Sequence, residues 1–504
     1  MDEVEKSLKN LASGTAIVLF GTVISLFLTF ISLAIIARYL TKAEYGVFFL
    51  AFTIFQVLFI LASLGLQDGV ARFISIYSSR RDSKKVMGTI TAAIKISTIN
   101  SLILALIIFS LSEIISTKIF KMPELLQTLR IFTIALPFFV LINIFISIFR
   151  GFGDVLVRVI YLDFLINFLR VFFVIFTIYL NLNLDGITKA FVLPIFITFV
   201  LLSIHTFKTY SFSIGEPQGK KLLLFSTPLL IQGFFGILMS WMDTIMLGYF
   251  ATAEQVGLYN AASPIAKLLT ITIGSLVYIY IPIVSSLYAR RKYQEIRRVY
   301  TIITKWILII TLPAFFLFFF FPSTTIATLF GEKYTSASTA LQILCIGFII
   351  HVLFGPNGAT LTVIGKPKIL MVNTMVGSIT NGLLNLFLIP RFGIEGAALA
   401  TAMSFVFFNI LTSLQLYIII RIFPISRNIL KIILSSTATA FIWYIIFKDI
   451  VIPYYVVTAV FIIALTVIVL LSSLLTKSLD KEDYILLSLL EEKTGIKFTF
   501  EKKF

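Results

Sequence analysis

The sequence predicts an all-α integral membrane protein with about fourteen transmembrane helices, and composition is the first observation that predicts it. Hydrophobic residues make up 59% of the 504-residue chain, charged residues only 13%, and the mean hydropathy is +1.03. An ordinary soluble domain has about 25% charged residues. The chain has too few charged residues to form the water-exposed surface around that much apolar area, which excludes a soluble protein.

The number of long apolar stretches is the second observation. A helix needs about 20 mostly apolar residues to cross the hydrocarbon core of a bilayer. Fourteen such stretches are predicted as spans, and they cover residues 12–37, 46–66, 86–111, 131–149, 155–180, 186–207, 222–249, 256–283, 300–321, 337–363, 369–389, 396–420, 429–447 and 451–475.

The distribution of lysine and arginine over the connections is the third observation. The two termini and the even-numbered connections carry 29 of these residues, and the odd-numbered connections carry 9. Because cytoplasmic loops are enriched in lysine and arginine, this split predicts that both termini are cytoplasmic, which requires an even number of spans. The net charge of +17 is then mainly a topology signal, and no nucleic-acid partner is predicted.

An internal repeat organises the predicted spans into two lobes. Similar residues recur at offsets of 210 to 214: segment 39–46 matches 249–257, and Asn167 matches Asn381. Six spans per repeat make the copies parallel, an arrangement in which transporters bind substrate between the halves. The predicted domains are two six-helix lobes, two additional helices and a cytoplasmic tail, at residues 1–215, 216–421, 422–475 and 476–504.

Ionisable and amide side chains within the spans are the candidate functional residues. A charge at the bilayer centre is costly, so each should face protein or a hydrated cavity. Helical spacing puts Asp163, Asn167 and Arg170 on one face of the fifth span. Polar side chains share one helix face in spans of both repeats, and they predict a net basic cavity between the lobes. The candidate substrate-binding residues are Arg170, Lys267, Lys95, Asn167, Asp163, Asn260, Asn381, Asn385 and Asp243.

Several of these residues also have a purely structural interpretation. Asp163 and Arg170 could pair with each other or with neighbouring helices, and Lys95 could extend toward the cytoplasm. Asp243 could be a structural cap near the outer end of its span. The asparagine, serine and threonine stripes could simply join helices.

Metal and nucleotide cofactors are not expected. The only cysteine is Cys345 and the only histidines are His205 and His351, which excludes a site built from cysteine and leaves little for one built from histidine. In the segment 365–367, proline follows Gly-Lys, so a phosphate-binding loop is absent.

Short motifs at helix ends resemble a known family. They lie at residues 37–46 (ARYLTKAEYG), 243–248 (DTIMLG), 256–262 (VGLYNAA), 329–334 (LFGEKY) and 388–401 (LIPRFGIEGAALAT). They are similar to motifs of the polysaccharide-transporter, or O-antigen flippase, family, which belongs to the superfamily of multidrug and toxin extrusion exporters.

The resemblance implies two six-helix lobes that flip a polyprenyl-phosphate- or diphosphate-linked oligosaccharide from the cytoplasmic to the outer leaflet of the cell membrane. The cationic cavity of that family is matched here by Arg170, Lys267 and Lys95. The implied partners are this lipid-linked substrate, membrane lipids and the polymerase or glycosyltransferases of the same pathway. The product would serve surface polysaccharide or glycoprotein assembly.

Two alternative functions remain open at this point. A cation-coupled multidrug exporter of the same superfamily needs a membrane carboxylate, which Asp163 or Asp243 would supply, although the first span contains no acidic residue. A membrane glycosyltransferase or polymerase would need an acidic metal-binding motif or a large loop. The longest connections have 19 residues, which disfavours an enzyme.

Overall fold

The computed structural model describes residues 3–210, 215–423, 426–447, 461 and 463–471, and every regular element within these ranges is helical. The α-helices are α1 (Glu3–Tyr39), α2 (Lys42–Ser63), α3 (Leu66–Ser79), α4 (Ser83–Glu113), α5 (Leu125–Gly151), α6 (Leu156–Arg158), α7 (Ile166–Tyr179), α8 (Leu184–Thr209), α9 (Gly219–Phe250), α10 (Ala253–Lys267), α11 (Ile271–Ala289), α12 (Tyr293–Phe320), α13 (Pro322–Phe330), α14 (Ser338–Leu353), α15 (Asn357–Val363), α16 (Pro367–Ile420) and α17 (Arg427–Phe447). Two π-helical segments, Ile114–Ile119 and Val159–Leu165, follow α4 and α6, and two 3₁₀ segments, Leu268–Thr270 and Glu332–Ala337, follow α10 and α13.

Twelve helical segments of these ranges are long and apolar enough to cross a membrane, and the predicted fold class is confirmed. One of them, Pro367–Ile420, contains both the eleventh and the twelfth predicted spans. The two are divided at Gly393, whose φ of 55° and ψ of −127° are not helical. The fourteenth predicted span lies mostly outside the described residues, and the predicted tail lies wholly outside them.

Polar side chains close the ends of the apolar helices. Thr41 caps α2: its side chain accepts a hydrogen bond from the backbone nitrogen of Glu44, whose carboxylate accepts one from the backbone nitrogen of Thr41 at 2.9 Å. Asn183 caps α8 by accepting from the backbone nitrogen of Gly186 at 3.2 Å. Such caps satisfy backbone donors that the helix leaves unpaired and contribute about 1 kcal/mol each.

By their contacts the residues form two compact units. The first contains residues 1–264, 329–337 and 374–401, and the second contains residues 265–328, 338–373 and 402–504. This grouping follows contacts and not the sequence repeat, so the lobes at 1–215 and 216–421, with the domains at 422–475 and 476–504, stay a prediction.

Aromatic side chains form the centre of the first unit, where α2, α5 and α8 pack together. Phe48, Phe132 and Phe191 are each at most 1% exposed. The rings of Phe48 and Phe191 meet edge to face with centroids 5.1 Å apart, a favoured geometry for aromatic pairs. This packing fixes the position of Phe191 on α8, which becomes important for the candidate site.

The second unit has its own core around α11, α12 and α15. Tyr280 and Tyr300 are fully buried, and the hydroxyls of Tyr280 and Thr360 are hydrogen-bonded at 2.7 Å. The Tyr300 hydroxyl donates to the carbonyl oxygen of Phe354, so the polar tips of both tyrosines have partners inside an otherwise apolar cluster.

Two glycines that the repeat makes equivalent pack against each other in the first unit. A Cβ atom on Gly46 would overlap the carbonyl oxygen of Ala253 and lie 2.8 Å from the backbone nitrogen of Gly257. A Cβ atom on Gly257 would overlap the carbonyl oxygen of Lys42 and lie 3.2 Å from the backbone nitrogen of Gly46. The starts of α2 and α10 thus touch backbone to backbone, and Lys42 and Glu254 form an exposed ion pair at 2.7 Å beside them.

The segment 329–337 joins the same region. The hydroxyl of the fully buried Tyr334 donates to the carbonyl oxygen of Ala37 at 3.0 Å, and Lys333 Nζ donates to the carbonyl oxygen of Arg38 at 3.0 Å. Lysine at a helix C-terminus satisfies carbonyls that the helix leaves unpaired. All five motif segments of the family resemblance therefore lie in the first unit, and three of them build this junction.

Candidate functional site

Arg170 and its neighbours on α1 and α7 form a polar group, which we name the arginine cluster: Arg170, Asn167, Ser25 and Thr29. Arg170 Nη1 donates to Asn167 Oδ1 at 2.9 Å. The same oxygen accepts from Thr29 Oγ1 at 3.1 Å, and Asn167 Nδ2 donates to Ser25 Oγ at 2.9 Å. Asn167 therefore holds the guanidinium in place and joins the first and fifth predicted spans.

The guanidinium of Arg170 is buried without a negative partner. The residue is 8% exposed, its Cζ lies 4.0 Å from the ring centroid of Phe191, and its Nε has no hydrogen-bond partner. Among the described residues no carboxylate pairs with it. Burying an unpaired charge is costly, and the aromatic face of Phe191 offsets only part of that cost. The unused Nε leaves donor capacity for an anion.

Asp163 shares the helix face but pairs with another residue. Its Oδ2 lies 3.6 Å from Arg158 Nε, whereas the sequence had left a pairing with Arg170 open. Asp163 lies within the π-helical segment Val159–Leu165, and this segment begins directly after Arg158. The structure therefore groups Asn167 with Arg170. The backbone carbonyl of Asp163 accepts from Asn167 Nδ2 at 3.0 Å, but the carboxylate of Asp163 is directed to Arg158.

The second polar group, the aspartate cluster, consists of Asp243, Tyr259, Asn381, Asn385 and Thr401. Oδ2 of Asp243 accepts from the Tyr259 hydroxyl at 2.7 Å and from Thr401 Oγ1 at 2.6 Å. Oδ1 accepts from Asn385 Nδ2 at 2.8 Å and from Asn381 Nδ2 at 3.2 Å. Four donors from α10 and α16 thus solvate a carboxylate on α9 that is 3% exposed.

The two clusters hold buried charges of opposite sign. Asn167 and Asn381 are equivalent in the repeat, yet the first serves a buried cation and the second a buried anion. Within the described chain no group of three or more His, Cys, Asp or Glu side chains could hold a metal ion. In the aspartate cluster the carboxylate oxygens of Asp243 already accept four hydrogen bonds, and Asn385 Oδ1 is buried without a hydrogen-bond partner.

The remaining predicted residues lie apart from these clusters. Asn260 accepts from Thr244 Oγ1 at 3.0 Å and so joins α10 to α9. This is the helix-joining role that was the alternative to substrate binding. Lys95 is exposed on α4. Lys267 is half-buried at the end of α10, in the second unit. Roles for Lys95 and Lys267 in a cavity stay predictions.

Sequence reasoning missed two members of the aspartate cluster. Tyr259 and Thr401 lie within the motif segments 256–262 and 388–401, which carry the family resemblance. Their hydroxyls meet Asp243 only after three helices pack together, so spacing along one helix could not reveal them. Membership in the motifs was the available signal.

Solved structures share this fold over most of the chain. A lipid II flippase MurJ in an inward closed conformation superposes with a TM-score of 0.75 at 16% identity, covering 94% of this chain and all of that one. An inward-facing multidrug resistance MATE transporter of the MOP superfamily superposes with a TM-score of 0.64 at 16% identity, covering 78% and 93%. Identities this low establish the fold alone.

Sequence comparisons identify relatives and the family. The chain is 30% identical over 201 residues to the "Probable low-salt glycan biosynthesis flippase Agl15" of Haloferax volcanii, covering 39% of this chain and 42% of that protein. The chain thus spans less than half the length of this relative. Residues 35–339 match the family described as "Polysaccharide biosynthesis protein". That match covers more than half of the chain and confirms the predicted family, so this multi-pass membrane protein belongs to the polysaccharide biosynthesis protein family.

Proposed function

We propose that the protein is a transporter that flips a polyprenyl-phosphate- or diphosphate-linked oligosaccharide from the cytoplasmic to the outer leaflet of the cell membrane. The glycan would serve surface polysaccharide or glycoprotein assembly. Family membership supports this proposal, as do the names of a relative and of a solved structure with the same fold, a glycan biosynthesis flippase and a lipid II flippase. Pathway enzymes such as a glycan polymerase or glycosyltransferases are the proposed partners.

The buried guanidinium of Arg170 is the single observation that carries the proposal. A phosphate group must leave water to cross the low-dielectric part of the protein, and a fixed cation with hydrogen-bond donors replaces part of its hydration. Arg170 lies in a membrane-spanning segment, has no carboxylate partner among the described residues and keeps one unused donor. The neighbouring hydroxyls of Ser25 and Thr29 and the amide of Asn167 are groups that can also bind sugar hydroxyls.

The membrane potential supports the proposed direction of movement. With the inside negative, moving an anion outward is favoured by about 2.3 kcal/mol per charge per 100 mV. A diphosphate with two charges would gain about twice that amount. An arginine that stabilises the anion in the middle of the path would lower the remaining barrier.

Replacing Arg170 tests the function in proteoliposomes that contain a fluorescent polyprenyl diphosphate oligosaccharide. Arg170→Ala is expected to reduce flipping about tenfold or more, because a hydrogen bond to a charged group is worth about 1.5 to 3 kcal/mol. Arg170→Lys should retain part of the activity if charge alone matters and little if the planar fork grips phosphate oxygens in pairs. Flipping is followed by quenching of the label that faces outward.

Arg130→Ala is the matched control, since Arg130 likewise has one aromatic contact, with Phe109 at 5.1 Å, and one side-chain hydrogen-bond partner, Ser112 Oγ at 2.9 Å. The Arg130→Ala variant should flip the labelled lipid at the wild-type rate. Wild-type flipping by a well-folded Arg170→Ala would contradict the proposal. If wild-type protein flips no lipid-linked glycan but exports cationic dyes, the multidrug exporter, which the MATE fold likeness and the buried Asp243 favour, replaces it.

Cysteine labelling tests the proposed orientation, with both termini in the cytoplasm. In a Cys345→Ala background, a cysteine at the exposed Ser336 should react with a membrane-impermeant maleimide in intact cells, whereas one at the exposed Lys292 should react only after permeabilisation. The charge distribution is the physical reason, because loops rich in lysine and arginine stay inside. The reverse labelling pattern would overturn the orientation.

A further inference from the structure

Arg158, at the start of the fifth predicted span, forms a long ion pair with Asp163. Its Nε lies 3.6 Å from Asp163 Oδ2, and both atoms are buried without a hydrogen-bond partner. A hydrogen-bonded pair of this kind would have a distance of about 2.7 to 2.9 Å. The two groups therefore attract each other as charges, but the donor capacity of Arg158 Nε is unused.

An irregular helix brings these two side chains together. Residues five apart on an α-helix are separated by about 140° around the axis, which would point them to different faces. The π-helical segment Val159–Leu165 closes its turns between residues i and i+5 and so places Asp163 above Arg158. Such segments cost helix stability and recur at functional sites.

We propose that Arg158 is a second anion-binding residue of the transport path, which receives the phosphate group of the lipid-linked substrate before Arg170 does. This inference rests on the function proposed above. Asp163 attracts the Nε side of the guanidinium, and this loose pair can be exchanged for a phosphate that offers two oxygens to the guanidinium fork.

Exposure and distance set the order of the two arginines. The side chain of Arg158 is 36% exposed, whereas Arg170 is 8% exposed. Arg158 lies near the start of the predicted span, and Arg170 lies twelve residues further along it. Arg158 therefore acts near the membrane face and Arg170 acts deeper.

A purely structural role for Arg158 makes a different forecast. The side chain of Asp163 is only 5% exposed, and a buried carboxylate is costly without a cation nearby. If neutralising Asp163 were the whole function of Arg158, removing both charges together would restore the protein fully. If Arg158 binds phosphate, removing both charges would restore stability and leave ligand binding impaired.

Binding of geranylgeranyl diphosphate to the full chain in detergent distinguishes these roles, with geranylgeraniol as the neutral ligand. Arg158→Gln should weaken binding of the diphosphate about tenfold, the loss expected for one hydrogen bond to a charged group, and leave geranylgeraniol binding unchanged. Arg150→Gln is the matched control, because Arg150 is similarly exposed but its Nη2 forms a close ion pair with Asp68 at 2.6 Å. It should bind both ligands like the wild type.

The double variant Arg158→Gln with Asp163→Asn decides between the roles. It should melt near the wild-type temperature and still bind the diphosphate about tenfold more weakly. Wild-type affinity for the diphosphate in the double variant, or in a folded Arg158→Gln, would overturn the role of Arg158 and leave the proposed function standing. Failure of the wild-type protein to bind the diphosphate at all would overturn the proposed function itself.

Discussion

Gly46→Ala is expected to destabilise the protein by about 3 kcal/mol, at the upper end of the usual cost of overpacking. The new Cβ would overlap the carbonyl oxygen of Ala253 and lie 2.8 Å from the nitrogen of Gly257. These neighbours are backbone atoms, so no side chain can rotate away and a helix must shift. The expected result is a clearly lower melting temperature in detergent, and Gly257→Ala should have a similar effect.

Gly236→Ala is the control for this experiment, because a Cβ at Gly236 on α9 would meet nothing within 4 Å. Alanine is a better helix former than glycine, so this variant should gain about 0.5 to 1 kcal/mol. The two alanine substitutions are thus expected to change stability in opposite directions. Equal melting temperatures for Gly46→Ala and the wild type would refute the backbone contact.

Asp243→Ala is expected to be the most damaging change in the aspartate cluster, because each buried donor left without an acceptor costs about 1 to 3 kcal/mol. It removes a carboxylate that accepts four hydrogen bonds, and only Asn385 and Tyr259 keep a second acceptor nearby, Asn381 Oδ1 and Thr401 Oγ1. Asp243→Asn should cost less, because the amide oxygen still accepts from some of these donors. Equilibrium or thermal unfolding in detergent measures both.

Asp68→Ala provides the comparison, since Asp68 has one ion pair with Arg150 and its side chain is 64% exposed. Exposed pairs contribute under about 1 kcal/mol. A cost for Asp243→Ala as small as that for Asp68→Ala would contradict the structural role of the buried carboxylate.

The spans and the contact between Asn167 and Arg170 were predictable because they depend on local patterns. Apolar length defines a span, and a spacing of three puts Asn167 and Arg170 on one helix face whatever surrounds it. The pairing of Asp163 was not predictable, since the π-helical segment changes the register on which helical spacing relies. The partners of Asp243 also escaped, because Tyr259 and Thr401 reach it from other helices.

The contact between Gly46 and Gly257 has the form of an interface in a twofold symmetric dimer, in which residue i touches j and residue j touches i. In a true dimer every charge pair at such an interface would occur twice. Here Lys42 faces Glu254, whereas the symmetry-related positions are both alanine, Ala253 and Ala43. Joining the two copies in one polypeptide lets each half of a self-complementary surface diverge separately, so one side of the junction can acquire a charge that the other never has to match.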